Sequence, residues 1–208
     1  MNGTVTRNQL IFDYAAGKLG PSKSIFTSAY LYLNSKASEL NQTFESMLGD
    51  DLINNENVPT SNLKFTDCLK SNDYKEKASK NVDPITKLLG PLSDIKWKQI
   101  YKGFSEFNPK ISDEDELKLI KMEPGASVPI HSHGGKEYIL VLDGSFCDEY
   151  GKYTKGDIQI NDQKIKHTPI ACQDKGCVCL SITEKDAIFF GRFGSFLNLF
   201  TFIKSFFK

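Results

Sequence analysis

Residues 129–146 read PIHSHGGKEYILVLDGSF. The chain holds only three histidines in 208 residues, and two of them, His131 and His133, stand here one residue apart. In extended backbone, residues i and i+2 face the same side. Both imidazoles would therefore point inward from one strand. Gly134-Gly135 supplies the turn that follows, and Glu137 opens the next apolar strand. The third histidine, His167, lies in KIKHTPIA (residues 164–171), after two further strand-like runs. Three imidazoles and one carboxylate converging on a point make a site for one divalent metal. Nitrogen and oxygen donors of this kind suit zinc, iron, manganese or nickel.

Around that stretch the sequence has the period of strands. LKLIKME, KEYILVLDGSFCDE, DIQI and CVCLSIT are short β-type runs separated by Gly, Asp and Asn turns. Such spacing predicts an antiparallel barrel or a double-sheet sandwich. The region before Trp97 reads helical instead. A short helix in LIFDYAAGKL is followed by a Gly-Pro break and a second helix starting near Pro21. On it Phe26, Tyr30, Leu33, Ala37, Leu40, Phe44 and Met47 recur every three or four residues, one apolar stripe running to about Leu48. Residues 49–62, GDDLINNENVPTSN, have the composition of a linker. A helix-containing stretch from about Leu63 to Leu89 ends at Gly90-Pro91.

Composition narrows the function. Lys plus Arg equals Asp plus Glu at 26 each, so nothing electrostatic favours direct nucleic-acid binding. Residues 1–20 lack an apolar h-region and do not read as a signal peptide. Five cysteines form a poor disulfide framework, which points to a reducing cytoplasm. The C-terminal stretch is rich in phenylalanine, but Arg192 and Lys204 bracket too few residues to span a bilayer. Phe193, Phe196, Phe200 and Ile203 instead suggest a short apolar helix packed on the core or on a second subunit. Cys172, Cys177 and Cys179 cluster after His167, where oxidation could serve sensing. The simpler reading makes Cys177 and Cys179 small buried hydrophobes on one strand face. Asp148, Glu149 and Tyr153 read as a solvated turn around Gly151, and SDEDE (residues 112–116) as a solvated loop.

The segment from Gly125 to Gly144 carries His131, His133 and Glu137 in the pattern G-x5-H-x-H-x3-E-x6-G, and so resembles the first cupin motif at every defined position. The second cupin motif is partial. Gly156 and His167 take the expected places, but Asp162 and Lys164 stand where a Pro-x-Gly turn is usual, and Ala171 where Asn is usual. GGKEYILVLDGSFCDEYGKYTKGDIQI followed by HTPIACQDKGC resembles the cupin half of the ChrR family of anti-sigma factors. DIKWKQI resembles that family's entry into the cupin. The resemblance implies an α+β chain: a small N-terminal helical domain, then a C-terminal cupin-type antiparallel β-barrel, or jelly roll. The expected division is 1–62 helical domain and linker, 63–93 connector, 94–190 cupin barrel and 191–208 apolar C-terminal helix.

The same resemblance implies a sigma factor held by the helical half, and release of it on oxidative or related stress. It implies metal, zinc foremost, at His131, His133, Glu137 and His167. A second zinc in the helical half is not expected, because the family's His-x3-Cys-x2-Cys ligands fall on Tyr30, Asn34 and Ala37. The aromatic residues of the second helix would then supply stability through burial. Cupins often pair, so a homodimer is also an expectation. The alternative function is a metal-dependent cupin enzyme of the dioxygenase or isomerase type, or a small-molecule sensor with no sigma partner. Three imidazoles and a carboxylate close a four-coordinate ion and leave a six-coordinate one open.

Overall fold

Pro21 opens a helix because its missing N–H is not needed in a first turn and its φ is already helical. In the computed structural model, which describes residues 2–54, 83–111 and 115–191, this helix is the second of four. They are α1 (Asn2–Ala15), α2 (Pro21–Leu33), α3 (Ser35–Asn54) and α4 (Pro84–Leu89). The single long helix expected from Pro21 to Leu48 is thus two helices. The stripe continues in sequence, but the backbone turns at Asn34, at φ −129° and ψ 103°. The Asn34 N–H closes α2 on the Tyr30 carbonyl at 2.9 Å, and its Oδ1 accepts from the Ala37 N–H at 3.1 Å to cap α3. One side chain ends a helix and begins the next. The stripe also stops early, since Met47 is exposed. Residues 49–54 belong to α3 rather than to a linker. The rest of that linker, most of the connector and the C-terminal apolar stretch lie outside the described residues.

Among the described residues ten strands follow: β1 (Lys98–Tyr101), β2 (Phe104–Phe107), β3 (Glu116–Met122), β4 (His131–His133), β5 (Glu137–Asp148), β6 (Gly151–Thr154), β7 (Ile158–Asn161), β8 (Ile170–Ala171), β9 (Cys177–Thr183) and β10 (Ala187–Phe189). All pairings are antiparallel. The main sheet runs β1-β2-β3-β9-β5-β6, with β7 and β8 also on β5, while β4 and β10 form a separate pair. Twelve-residue β5 is the spine: Glu137–Leu140 pair with β7 and Phe146–Cys147 with β8. Single bridges from Ser127 to Ile170 and from His131 to His167 close the second wall. The result is a jelly-roll barrel. At the bend of β5 sits Gly144, with φ 71° and packed on Gly176, where a side chain would collide with backbone.

The main sheet is covered on both faces, which explains why β5 reads as an unbroken apolar run rather than an alternating one. Ile139 and Val141 belong to the barrel interior with Cys179 and Met122. Tyr138, Leu140 and Leu142 face the other way and share one core with Leu10, Phe26 and Tyr30 of the helices. Phe26 meets Tyr138 edge-on at 6.0 Å between centroids. Lys23 on α2 pairs with Asp115 at 3.3 Å and Glu184 at 3.0 Å, so part of the acidic run read as a solvated loop is instead a docking point. Asn34 Nδ2 donates to the Gly156 carbonyl at 3.4 Å. Gly156, at φ 86°, leaves room for the Leu33 carbonyl, which a side chain there would touch at 3.0 Å.

Asn34→Ala is expected to cost about 0.5–2 kcal/mol and Asn34→Gly only a few tenths. Paired thermal melts of the two variants check this.

Candidate metal centre

His131 and His133 come from β4, with Ser132 between them directed at the opposite face. Both rings are buried. β4 stays extended because β10 pairs with it in register, Phe189 opposite His131 and Ala187 opposite His133. The Gly134-Gly135 turn carries the chain to Glu137, the first residue of β5. His167 is held across from His131 by two backbone hydrogen bonds of 3.0 and 3.1 Å. One donor atom from each of His131, His133, Glu137 and His167 lies within 4.8 Å of the others, and all four residues are buried. The structure therefore brings together the four residues singled out by spacing.

The chemistry of the donor set fits a cation. His131 Nδ1 lies 2.9 Å from the Pro129 carbonyl. That contact fixes a proton on Nδ1 and leaves the Nε2 lone pair for the centre. His167 Nδ1 lies 3.0 Å from Asp148 Oδ2, which does the same for His167. His133 Nε2 and His167 Nε2 lie 3.0 and 3.3 Å from the two oxygens of Glu137. Neither ring nitrogen is aligned for a hydrogen bond, so both are buried polar atoms without a partner. Buried orphans converging on one carboxylate are what an ion would satisfy. These four residues could hold one.

Electrostatics agrees. Burial pushes His131 down to about 4, against the opposing pull of Glu137, and keeps its imidazole in the neutral form that binds metals. Burial would also lower His167, but contacts to Glu137 and Asp148 outweigh it and raise the net value. Burial opposes the Glu137 charge, yet His133 and His167 hold its carboxyl well below the usual range. The pocket is built for positive charge, and a proton on His167 competes with metal for it. Metal affinity is accordingly expected to fall on acidification, beginning above the ordinary imidazole range. Competition with a chromophoric chelator across a pH series checks the sign.

The supporting role of several residues escaped the reading of the sequence. Asp148 was expected in a solvated turn, but its side chain is wholly buried. It accepts from Gln159 Nε2 at 2.7 Å, and Gln159 in turn donates to the Tyr153 hydroxyl at 3.1 Å. Asn161 Nδ2 donates to Glu137 Oε2 at 3.0 Å. Glu149 accepts from the Thr168 N–H at 2.9 Å. Asp148 thus turns in behind His167, while Glu149, Tyr150 and Lys152 at the tip of the hairpin stay exposed as expected of a solvated turn. A signal existed in the DIQIN run: Gln159 and Asn161 are polar at i and i+2 between isoleucines, the pattern of a strand with one polar inner face. Removing the carboxylate in Asp148→Ala is expected to weaken metal binding about 10- to 100-fold, measured by chelator competition.

A cavity of about 390 Å³ opens in front of the centre. His131, His133 and Glu137 line it, whereas His167 does not. Cys177 and Cys179 are buried on one face of β9 with their sulfurs 4.0 Å apart, and Cys179 reaches the cavity wall. At the positions of the family's helical zinc ligands stand a packed Tyr30, the capping Asn34 and a packed Ala37.

A jelly-roll barrel with three imidazoles and a carboxylate inside, and helices laid on its outer sheet, defines a cupin with a fused helical unit. Residues 88–185, which make up most of the barrel, match the family described as the ChrR cupin-like domain. Anti-sigma-E factor ChrR of Cereibacter sphaeroides is 28% identical over 197 residues, which is 90% of this chain and 91% of that protein. The crystal structure of Rhodobacter sphaeroides SigE in complex with the anti-sigma ChrR contains a chain that superimposes with a TM-score of 0.71 at 28% identity, covering 85% of this chain and 96% of that one. Beyond the barrel, the whole chain resembles the ChrR-type cupin anti-sigma factors. Among the described residues no helix is long and apolar enough to cross a membrane.

Proposed function

We propose that this protein sequesters a sigma factor, of the extracytoplasmic-function class, through its N-terminal helical half, and releases it when oxidative or related stress acts on the cupin half. Zinc is the metal assigned to His131, His133, Glu137 and His167, one ion per chain. When bound it supplies a Lewis-acidic centre that crosslinks β4, β5 and the His167 segment. The division of labour follows 1–62 as helical domain and linker, 63–93 as connector, 94–190 as cupin barrel and 191–208 as an apolar C-terminal helix.

One observation carries the reading: likeness to a protein named as an anti-sigma factor runs through both halves, across 91% of its length, rather than through the barrel alone. The helical half also keeps apolar surface that the barrel does not cover, with Tyr32 on α2 and Met47 on α3 exposed.

The test is affinity purification of the full chain from its own cells, with mass spectrometry of what accompanies it. A sigma factor is expected in stoichiometric amount from unstressed cells and in reduced amount after oxidant. Recovery of the metal-loaded chain with no sigma factor would sink the proposal. Because the helices share a core with the barrel, the informative variants are Tyr32→Asp and Met47→Asp, at exposed side chains of α2 and α3, with the melting temperature of each checked against the parent. Each is expected to reduce recovery of the sigma factor at least tenfold if it lies in the contact.

A further inference from the structure

The cavity in front of the metal centre is left without a purpose by sigma-factor binding. Its volume, about 390 Å³, lies in the range of small-molecule sites. A purely structural ion is usually closed off by its protein ligands. Here three of the four candidate ligands edge a cavity and the fourth lies behind them.

The walls are graded along the strands. Glu116, Thr183 and Glu137 stand side by side on β3, β9 and β5, and Lys118, Ser181 and Ile139 form the next rung. Beyond them come Ile120 and Met122, with Phe104 and Phe146 also lining the space. One end is therefore polar and next to the metal ligands, and the other is apolar. The charges decide what kind of polar head fits. Lys118 lies 2.7 Å from Glu116 and 3.7 Å from Glu106, so its charge is already matched. Asp186 adds a further negative charge at the rim. Even with a divalent ion counted beside Glu137, the carboxylates of Glu106, Glu116, Glu137 and Asp186 outweigh the positive charge, so an anionic head is repelled on approach. A neutral one is not.

The geometry points to a binding site for a small, uncharged, mainly apolar molecule carrying one oxygen donor, of the carbonyl or hydroxyl class. Its oxygen would occupy the polar end, where His131, His133 and Glu137 line the cavity, and its apolar body would lie against Ile120, Met122 and Phe104. The inference rests on the reading that these residues hold a metal, and it names the class of signal that the cupin half receives.

The probe is 2-octanone, added to the full chain loaded with one equivalent of cobalt(II), with octanoate as a charged partner of equal chain length. Uptake of one cobalt, read from its visible absorption, tests the metal reading by itself. The ketone is then expected to change that absorption saturably, with octanoate at least tenfold weaker. Ile120→Trp, which fills the apolar end, is expected to keep the cobalt and lose the response to ketone. The wild-type contrast stands alone if that variant fails to fold. A cobalt-loaded protein blind to the ketone, or one that prefers octanoate, overturns the inference and leaves the metal reading in place. A chain that takes up no cobalt overturns both.

Discussion

Phe26→Ala is expected to destabilise the protein by about 3–5 kcal/mol, the usual cost of emptying a fully buried aromatic site. Phe26 has no exposed surface and sits where α2 meets the outer face of β5. Its ring packs on Tyr138 and shares a core with Leu140 and Leu180. Few neighbours can collapse into the space, since one wall is a hydrogen-bonded sheet. Total stability is ordinarily about 5–15 kcal/mol, so this one change removes a large share. For a chain of this size about 2–4 °C accompanies each kcal/mol, so thermal melting of the variant should shift by roughly 6–20 °C. Lys23→Ala touches the same junction through partly exposed ion pairs and is expected to shift it little. A shift of under 2 °C for Phe26→Ala would show that the helices do not depend on the sheet.

Stripping the metal is expected to have an effect of similar size. A ligand at a thousand times its dissociation constant contributes about 4 kcal/mol to stability through mass action alone. The centre joins segments from His131 to His167 that pair with each other only through single bridges and short strands. Chelation should therefore lower the melting temperature by several degrees and loosen that wall first, seen as faster amide exchange in β4 and β10. The control is Glu137→Ala, which deletes the one charged donor. Melts of that variant with and without added zinc should coincide. A zinc-dependent rise as large as that of the parent would place the ion elsewhere.

The parts that local spacing governs could be read directly. His131, His133 and Glu137 are separated by a strand, a turn and a strand start, so periodicity alone places them together. Pro21 marks a helix start for a similarly local reason. What escaped was decided by distant neighbours. The apolar stripe from Phe26 to Phe44 keeps its phase across Asn34, so periodicity does not show the break made by the Asn34 cap, a residue that also contacts Gly156 far along the chain. Asp148 looks like any hairpin acid until His167 folds onto it. The hairpin of β1 and β2 carries no strict alternation, since β1 is exposed along its whole length. The apolar run of β5 did hold information: a strand without polar alternation is one with both faces covered, here by the barrel interior and by the helices.

That two-faced strand has a consequence for how the protein can change over time. Along β5 the odd-numbered residues Glu137 and Ile139 look toward the candidate metal centre and the cavity, and the even-numbered Tyr138 and Leu140 look toward the helices. Substitutions can alter the cavity-lining face and the helix-packing face separately, one parity at a time. An insertion or deletion of a single residue exchanges the two sets at once. Selection can therefore adjust either face alone but can lose the strand's phase only by losing both, which makes β5 intolerant of a change of length.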